Sequence, residues 1–432
     1  MQKRMAVFVL LLLGCGSGTL LADETPLPGV MGEEMIDLSL QRVETLASRR
    51  NRELAASRRG LEAAQADAIT AAQRPNPTLS INTASINPQT GVGKGGLWEK
   101  HVDTIIRVDQ LFERGDKRGL RQAAAAQGIE AGRADLADNA RQLVSGIASA
   151  YFDLLLAQQR EVVLRESVGL YRATLDAAEK RLRAGDVSPT DVARVSVDAL
   201  RAENDMRQSR GDVLKAQATL AYMIGMEAES SRIRASDPWP AVSRLPPMPD
   251  LEALLESRPD VKAARARSYM AEKTRDLARA QRSRDVTVGV QYEHFPPDNR
   301  NMLGVGISIP IFANYEYAGE IRRAEVDWMA AEENLGRVIA LARTDIARTR
   351  ADVESASDRV LRYHGTILDQ ARKAAAAAEF AYRHGALGVM DLLDARRTLK
   401  ATLLDAATAE ADYAKALVAW ESAITVNAKE EK

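Results

Sequence analysis

Residues Tyr382–Arg397 read YRHGALGVMDLLDARR, and 200 residues earlier Leu182–Val195 read LRAGDVSPTDVARV, so that Gly185 falls on Gly385 and Asp191 on Asp391. A glycine, a short stretch and then an acid-led apolar run is a helix stop joined to a helix start. Two such turns, one in each half, predict two helical hairpins. In the second copy Asp394 follows Asp391 on the same helix face.

The same spacing holds further out. Leu111 and Phe112 fall on Ile311 and Phe312, and Gly119 on Gly319. Upstream the offset becomes 207, with Arg52-Glu53-Leu54 on Pro259-Asp260-Val261 and Leu79 and Ile81 on Val286 and Val288. Each half therefore reads helix, strand, loop, strand, helix, turn, helix. The first repeat spans 35–235, a Pro-rich linker SDPWPAVSRLPPMPD spans 236–250, and the second repeat spans 251–426.

The helical stretches carry a seven-residue seam. Alternating steps of four and three from Leu143 meet Ile147, Ala150, Leu154, Ala157, Glu161, Leu164, Val168, Tyr171, Leu175, Ala178 and Leu182, with Glu161 alone out of character. The series from Val192 to Met223 and its copy from Leu392 to Ala423 repeat the pattern. A sustained 3.5-residue period means coiled coil, and alanine at many seam positions means close helix approach. Aromatic content of 5% beside 46% apolar residues agrees with long helices more than with a thick globular core.

Alternation at period two marks the strands. Val286, Val288, Val290 and Tyr292 oppose Thr287, Gly289, Gln291 and Glu293; Leu303, Val305, Ile307, Ile309 and Ile311 oppose Gly304, Gly306 and Ser308. In the first half Val102, Thr104, Ile106 and Val108 oppose Asp103, Arg107 and Asp109. Runs of about ten residues with one apolar face fit either tilted membrane strands or a sandwich. Read as a barrel, Val288, Ile307 and Ile106 face lipid while Asp103, Arg107, Gln291 and Glu293 face the lumen. Four strands are too few to close in lipid, so subunits must share the barrel.

The N-terminus gives Lys3 and Arg4, nine apolar residues from Met5 to Leu13, then Gly14-Cys15. That is a secretory signal, 1–22 if cleaved near Ala22 and 1–14 if cleaved before Cys15. Leu12-Leu13-Gly14-Cys15 resembles a bacterial lipobox, which makes Cys15, the single cysteine, a lipidation candidate. One cysteine excludes an intramolecular disulfide.

On the duplicated plan and the Gly185–Asp191 and Gly385–Asp394 segments, the chain resembles the bacterial outer-membrane efflux protein (TolC-like) family. The resemblance implies a mainly α fold with a membrane β-barrel: a long α-helical coiled-coil periplasmic tunnel, plus four β-strands per protomer in a twelve-stranded barrel shared by a homotrimer. It implies an outer-membrane location and an exit duct supplied by a periplasmic adaptor and an inner-membrane RND-type pump. DQLFERGDKRGLR, Asp109–Arg121, looks most like the branch serving cobalt, zinc and cadmium efflux, which implies divalent heavy-metal cargo; drugs or type I secretion are the alternatives. The resemblance also places Asp391 and Asp394 at the periplasmic aperture, Tyr382 and Asp191 in closed-state contacts, and Gly185 and Gly385 at the tip turns. A tip arginine of the family is replaced by Leu387, with Arg183, Arg194 or Arg383 available to substitute. Spacing alone leaves the two aspartates equally suited to a helix start in water.

Other chemistry is not signalled. His101, His294, His364 and His384 form no pair at ligand spacing, so no metal site is implied; His101 and His294 are expected near exposed loops. GVGKGG, Gly91–Gly96, lacks the Ser or Thr and the following helix of a phosphate loop. No nucleophile, base and acid constellation emerges, so neither enzyme nor cofactor is expected. A net charge of -1 argues against nucleic acid. A secreted coiled-coil adaptor or scaffold is the competing class, and one hairpin of helices would suffice for it.

Overall fold

The computed structural model describes residues 34–96, 99–248, 250–295 and 299–424. The secretory segment and Cys15 lie outside them. In chain order come β1 (Ile36–Leu38), α1 (Leu40–Arg50), α2 (Arg52–Ala71), β2 (Thr78–Ala84), β3 (Asp103–Phe112), α3 (Lys117–Ala184), α4 (Pro189–Ile224) and β4 (Ile233–Ala235). Then follow α5 (Leu251–Ser257), α6 (Pro259–Ala280), β5 (Val286–Phe295), β6 (Asn299–Ser308), α7 (Ala318–Arg362), α8 (Leu368–Arg383) and α9 (Val389–Ile424).

The helix of 68 residues, α3, is unbroken, which at a rise of about 1.5 Å per residue makes it on the order of 100 Å long. α4 and α9 are each 36 residues and begin 200 residues apart. Every seam position of α3, α4 and α9 is buried or half-buried. Glu161 is accommodated by Arg165 at 2.5 Å and by Arg210 of α4 at 3.6 Å, so the one charged seam residue pairs across the hairpin. The second half departs from the first in its long helix: between α7 and α8 the residues Tyr363–Ile367 form a π-helical turn. Such a turn locally widens the backbone ladder.

Where the halves join, equivalent positions use different chemistry for one purpose. Asn51 accepts from the backbone of Glu53 and Leu54 and donates to the carbonyl of Met223. At the 207-residue offset Arg258 pairs with Asp260 at 2.7 Å and donates to the carbonyl of Ala423 at 3.3 Å. Both tie a helix start to the end of the last helix of their own half. Tyr151 binds the short parallel pair β1–β4, donating to Leu38 O at 3.0 Å and accepting from Ser236 and Asp237. Burial pushes its phenol up to about 12, so it stays a donor.

Glu44 of α1 is held above its ordinary 4.5, first by burial and then by the neighbouring charge of Glu421. A raised folded value means the fold favours the neutral acid; this contribution is complete below 4.5 and is lost as pH rises through the folded value. Glu44→Gln should therefore raise the thermal midpoint at neutral pH, and the gain should disappear in melts run below pH 4.5.

The four longer strands form one antiparallel sheet in the order β2-β3-β5-β6, so the central pairing joins the two halves. Register aligns Leu79 with Val108, Val108 with Val290 and Val290 with Val305 on one face, and Ser80 with Arg107, Arg107 with Gln291 and Gln291 with Gly304 on the other. The apolar face lies open: Leu303 is 84% exposed, Val305 76% and Ile307 69%. On the opposite face Arg107 pairs with Asp109 at 2.8 Å. A Cβ on Gly289 would stand 2.1 Å from Asp109 Oδ1, so glycine there makes room for the ion pair.

Three expectations need correction. Val102 precedes β3 and is buried, not on the apolar face. Ile309 and Ile311 lie past the end of β6, although both are exposed. His294 sits within β5 opposite Thr104 and is 5% exposed, because the paired strands extend to it.

Candidate functional site at the helix turns

At the first turn α3 ends on Gly185, whose φ of 84° suits glycine, with Gly185 N–H donating to Leu182 O and Asp186 N–H to Arg181 O. α4 then opens with Pro189 in its first turn and Ser188 as its cap. The Ser188 hydroxyl accepts from Asp191 N–H at 3.2 Å and donates to the Asp191 carboxylate at 2.8 Å. Asp191 is thus engaged by its own cap.

The second turn repeats this geometry with one change. Gly385, φ 74°, closes α8, and Gly388 stands where Ser188 stands in the first copy. Asp391 therefore lacks the hydroxyl that holds Asp191. Leu392 and Leu393, 1% and 0% exposed, anchor α9 in the tip core and turn Asp391 and Asp394 outward. Both carboxylates are exposed, and neither has an ion-pair partner among the described residues. The loss of one hydroxyl frees Asp391, which shares a helix face with Asp394 at the turn.

The two turns flank one cleft of about 690 Å³ lined by Arg181, Asp191, Tyr382 and Leu387 among others. Tyr382 is 7% exposed and packs with Val195, Leu392 and Leu393. The Arg181 guanidinium lies 4.7 Å from the Tyr382 ring centroid. Arg181, not Arg183, Arg194 or Arg383, is the arginine against this tyrosine; Arg383 pairs with Glu379 on its own helix. The Tyr382 hydroxyl is buried with no hydrogen-bond partner among the described residues. Within a protomer, then, removing that hydroxyl relieves a desolvated group worth roughly 1 to 3 kcal/mol. Tyr382→Phe should leave the thermal midpoint equal or higher, and a clear drop would show that a neighbouring chain supplies the missing acceptor.

Cross-links between the hairpins stand just above the tip and were not legible as a motif. Arg396, with 10% of its side chain exposed, donates to Leu170 O at 3.0 Å and to the Thr174 hydroxyl, binding α9 to α3. Arg397 pairs with the buried Asp198, and Lys400 with Asp205 at 3.2 Å, binding α9 to α4. The available signal was a cluster of bases on α9 beside acids on α4, one repeat length away.

In the sheet, Asp103, Arg107, Gln291 and Glu293 share the face opposite Val288, and Arg107 reaches Gln291 at 3.5 Å. No group of three or more His, Cys, Asp or Glu side chains suited to a metal ion occurs among the described residues.

This architecture has close parallels. The chain is 25% identical over 369 residues to the cobalt-zinc-cadmium resistance protein CzcC of Cupriavidus metallidurans, covering 84% of each chain. It is 25% identical over 276 residues to the cation efflux system protein CusC of Escherichia coli, covering 60% of this chain and 59% of that one. Among solved structures, the outer-membrane channel OprN superimposes with a TM-score of 0.77 at 21% identity, covering 89% of each chain. CusC does so with a TM-score of 0.76 at 18% identity, covering 90% of this chain and 92% of that one. The fold is that of an outer-membrane channel protomer with a helical periplasmic extension, and its role is conduction, not catalysis. The model of the outer membrane efflux protein family matches residues 45–226 and 251–425, and the chain belongs to that family.

Proposed function

We propose that three copies of this chain assemble into a twelve-stranded barrel continued by a helical tunnel, and that this duct passes divalent heavy-metal cations received from an RND-type pump through a periplasmic adaptor. The observation that carries the reading is the sheet: four strands with one predominantly apolar, largely exposed face and with β2 and β6 as edges. An open edge in hydrocarbon costs several kcal/mol for each unsatisfied group, which further copies of the same sheet remove. Metal cargo is supported by the names of the CzcC and CusC relatives. In this reading Asp103, Arg107, Gln291 and Glu293 line the barrel lumen, and Asp391 and Asp394 ring the aperture. The Arg396, Arg397 and Lys400 links hold α9 to α3 and α4 beside that aperture, so widening it by moving α9 would break them.

The test is migration of membrane-extracted protein with and without boiling, joined to metal tolerance of a strain lacking the chain. A monomer under mild conditions, or unchanged tolerance to cobalt, zinc and cadmium, would separately remove the trimer and the cargo.

Cys15 is proposed as the acylated first residue of the mature chain. Cys15→Ser should change processing much more than transport, because buried strands dominate membrane affinity. Mass spectrometry showing a mature chain that starts at Asp23 would end that assignment.

A further inference from the structure

The apolar face of the sheet stops abruptly at its end nearest the long helices. β3 and β5 pair so that Phe112 faces Val286. Continuing that antiparallel register by two residues sets Arg114 opposite Arg284 on the same face, and both are exposed. The segments do meet there, since Arg114 N–H donates to Asp285 Oδ1 at 2.9 Å. Like charges directly opposite each other on adjacent strands are unfavourable.

Nearby acids do not relieve them. Asp285 receives the buried Lys117 ammonium on both oxygens at 2.8 Å, and Glu113 is taken by Arg121 at 2.5 and 2.9 Å. Among the described residues neither the Arg114 nor the Arg284 guanidinium has an ion-pair partner; Arg284 lies 5.4 Å from the Phe312 ring centroid. Phe312 and Tyr317 meet edge to face at 5.6 Å, and Tyr315 and Tyr317 at 5.1 Å. Aromatic rings gathered at the end of an apolar strand face are the signature of a membrane–water boundary.

We propose that Arg114 and Arg284 together hold the phosphodiester of an anionic glycerophospholipid in the leaflet facing the periplasm. The proposal rests on reading the Val288 face as the one against lipid. Two guanidinium forks carried on opposed positions match a phosphate's several acceptor oxygens. A lipid is the occupant, not free phosphate, because the exposed Phe112 and its partner Val286 stand next along the same face, where acyl chains would lie. The net charge of -1 means that this basic pair is local and not part of a generally basic surface.

The full chain, extracted in mild detergent, is titrated with phosphatidylglycerol or phosphatidylcholine and retained lipid is read by native mass spectrometry. Phosphatidylglycerol should be preferred, and Arg114→Gln with Arg284→Gln should weaken its retention by about five-fold for each arginine removed. Arg201→Gln with Arg207→Gln on α4 should leave it unchanged. Equal retention by the Arg114 and Arg284 variant, an equal loss in the α4 control, or displacement by an equal concentration of inorganic phosphate would overturn the proposal. If the glutamine pair does not assemble, the wild-type chain decides: no preference for phosphatidylglycerol over phosphatidylcholine is the refuting result. The face itself is checked separately with Ile307→Trp, whose fluorescence brominated acyl chains should quench. Quenching without headgroup preference refutes the arginine site alone, and absence of quenching refutes the face.

Discussion

Val288→Arg should sharply reduce the yield of heat-sensitive oligomer in outer-membrane extracts, while Gln291→Arg, three residues along the same strand, should leave it close to wild type. Val288 pairs with Ile307 on the open apolar face, and Gln291 pairs with Gly304 beside Arg107 on the other. An arginine on the lipid side near the midplane costs roughly 2 to 4 kcal/mol, and in an oligomer every copy carries that cost. On the polar face the new guanidinium stands opposite Arg107, a like-charge cost that water and the neighbouring Glu293 carboxylate keep well below that of hydrocarbon. Equal losses for the two variants, measured by band intensity without boiling, would mean that the faces have been exchanged or that neither meets lipid.

The second large effect is expected at the turns. Asp391→Asn with Asp394→Asn should weaken block by divalent cations in planar-bilayer conductance and shift selectivity away from cations. Both carboxylates are exposed on α9 without ion-pair partners among the described residues, and Gly388 removes from Asp391 the hydroxyl that engages Asp191. Converging acids in a constriction focus negative potential far more strongly than the same acids on an open surface. Assembly should persist, since packing is carried by Leu392 and Leu393 beneath them. Unchanged block and selectivity would return both residues to the role of solvated helix-start acids.

Much of this was legible in the sequence because the repeat made each half a check on the other. The seam from Leu143 to Leu182 and the alternation from Val286 to Tyr292 depend on periodicity, and both elements formed where periodicity put them. The π turn at Tyr363–Ile367 was not legible, since the 200-residue offset runs through it unchanged from Gly319 to Gly385 and leaves no mark of it. The sequence offers Arg183, Arg194 and Arg383 as partners for Tyr382, yet Arg181, half a turn before Arg183 on α3, is the one that reaches it. Likewise the Arg397–Asp198 pair is made by tertiary approach of α9 to α4, which no local pattern encodes. Alternation sets Asp103, Arg107, Gln291 and Glu293 away from the apolar side, and the register brings them onto one face.

The pairing of β3 with β5 sets an order of events during biogenesis. β2 and β3, like β5 and β6, are neighbours in the chain and can form early, but Val108 must wait for Val290, which leaves the ribosome long afterwards. Contacts so distant in sequence are slow to form, and until they do the first hairpin offers a bare edge and an oily face to whatever it meets. A chain halted before β5 would hold half a sheet that neither water nor lipid accommodates. The first half therefore stays prone to mispairing until the second arrives, over an interval set by the length of chain between β3 and β5.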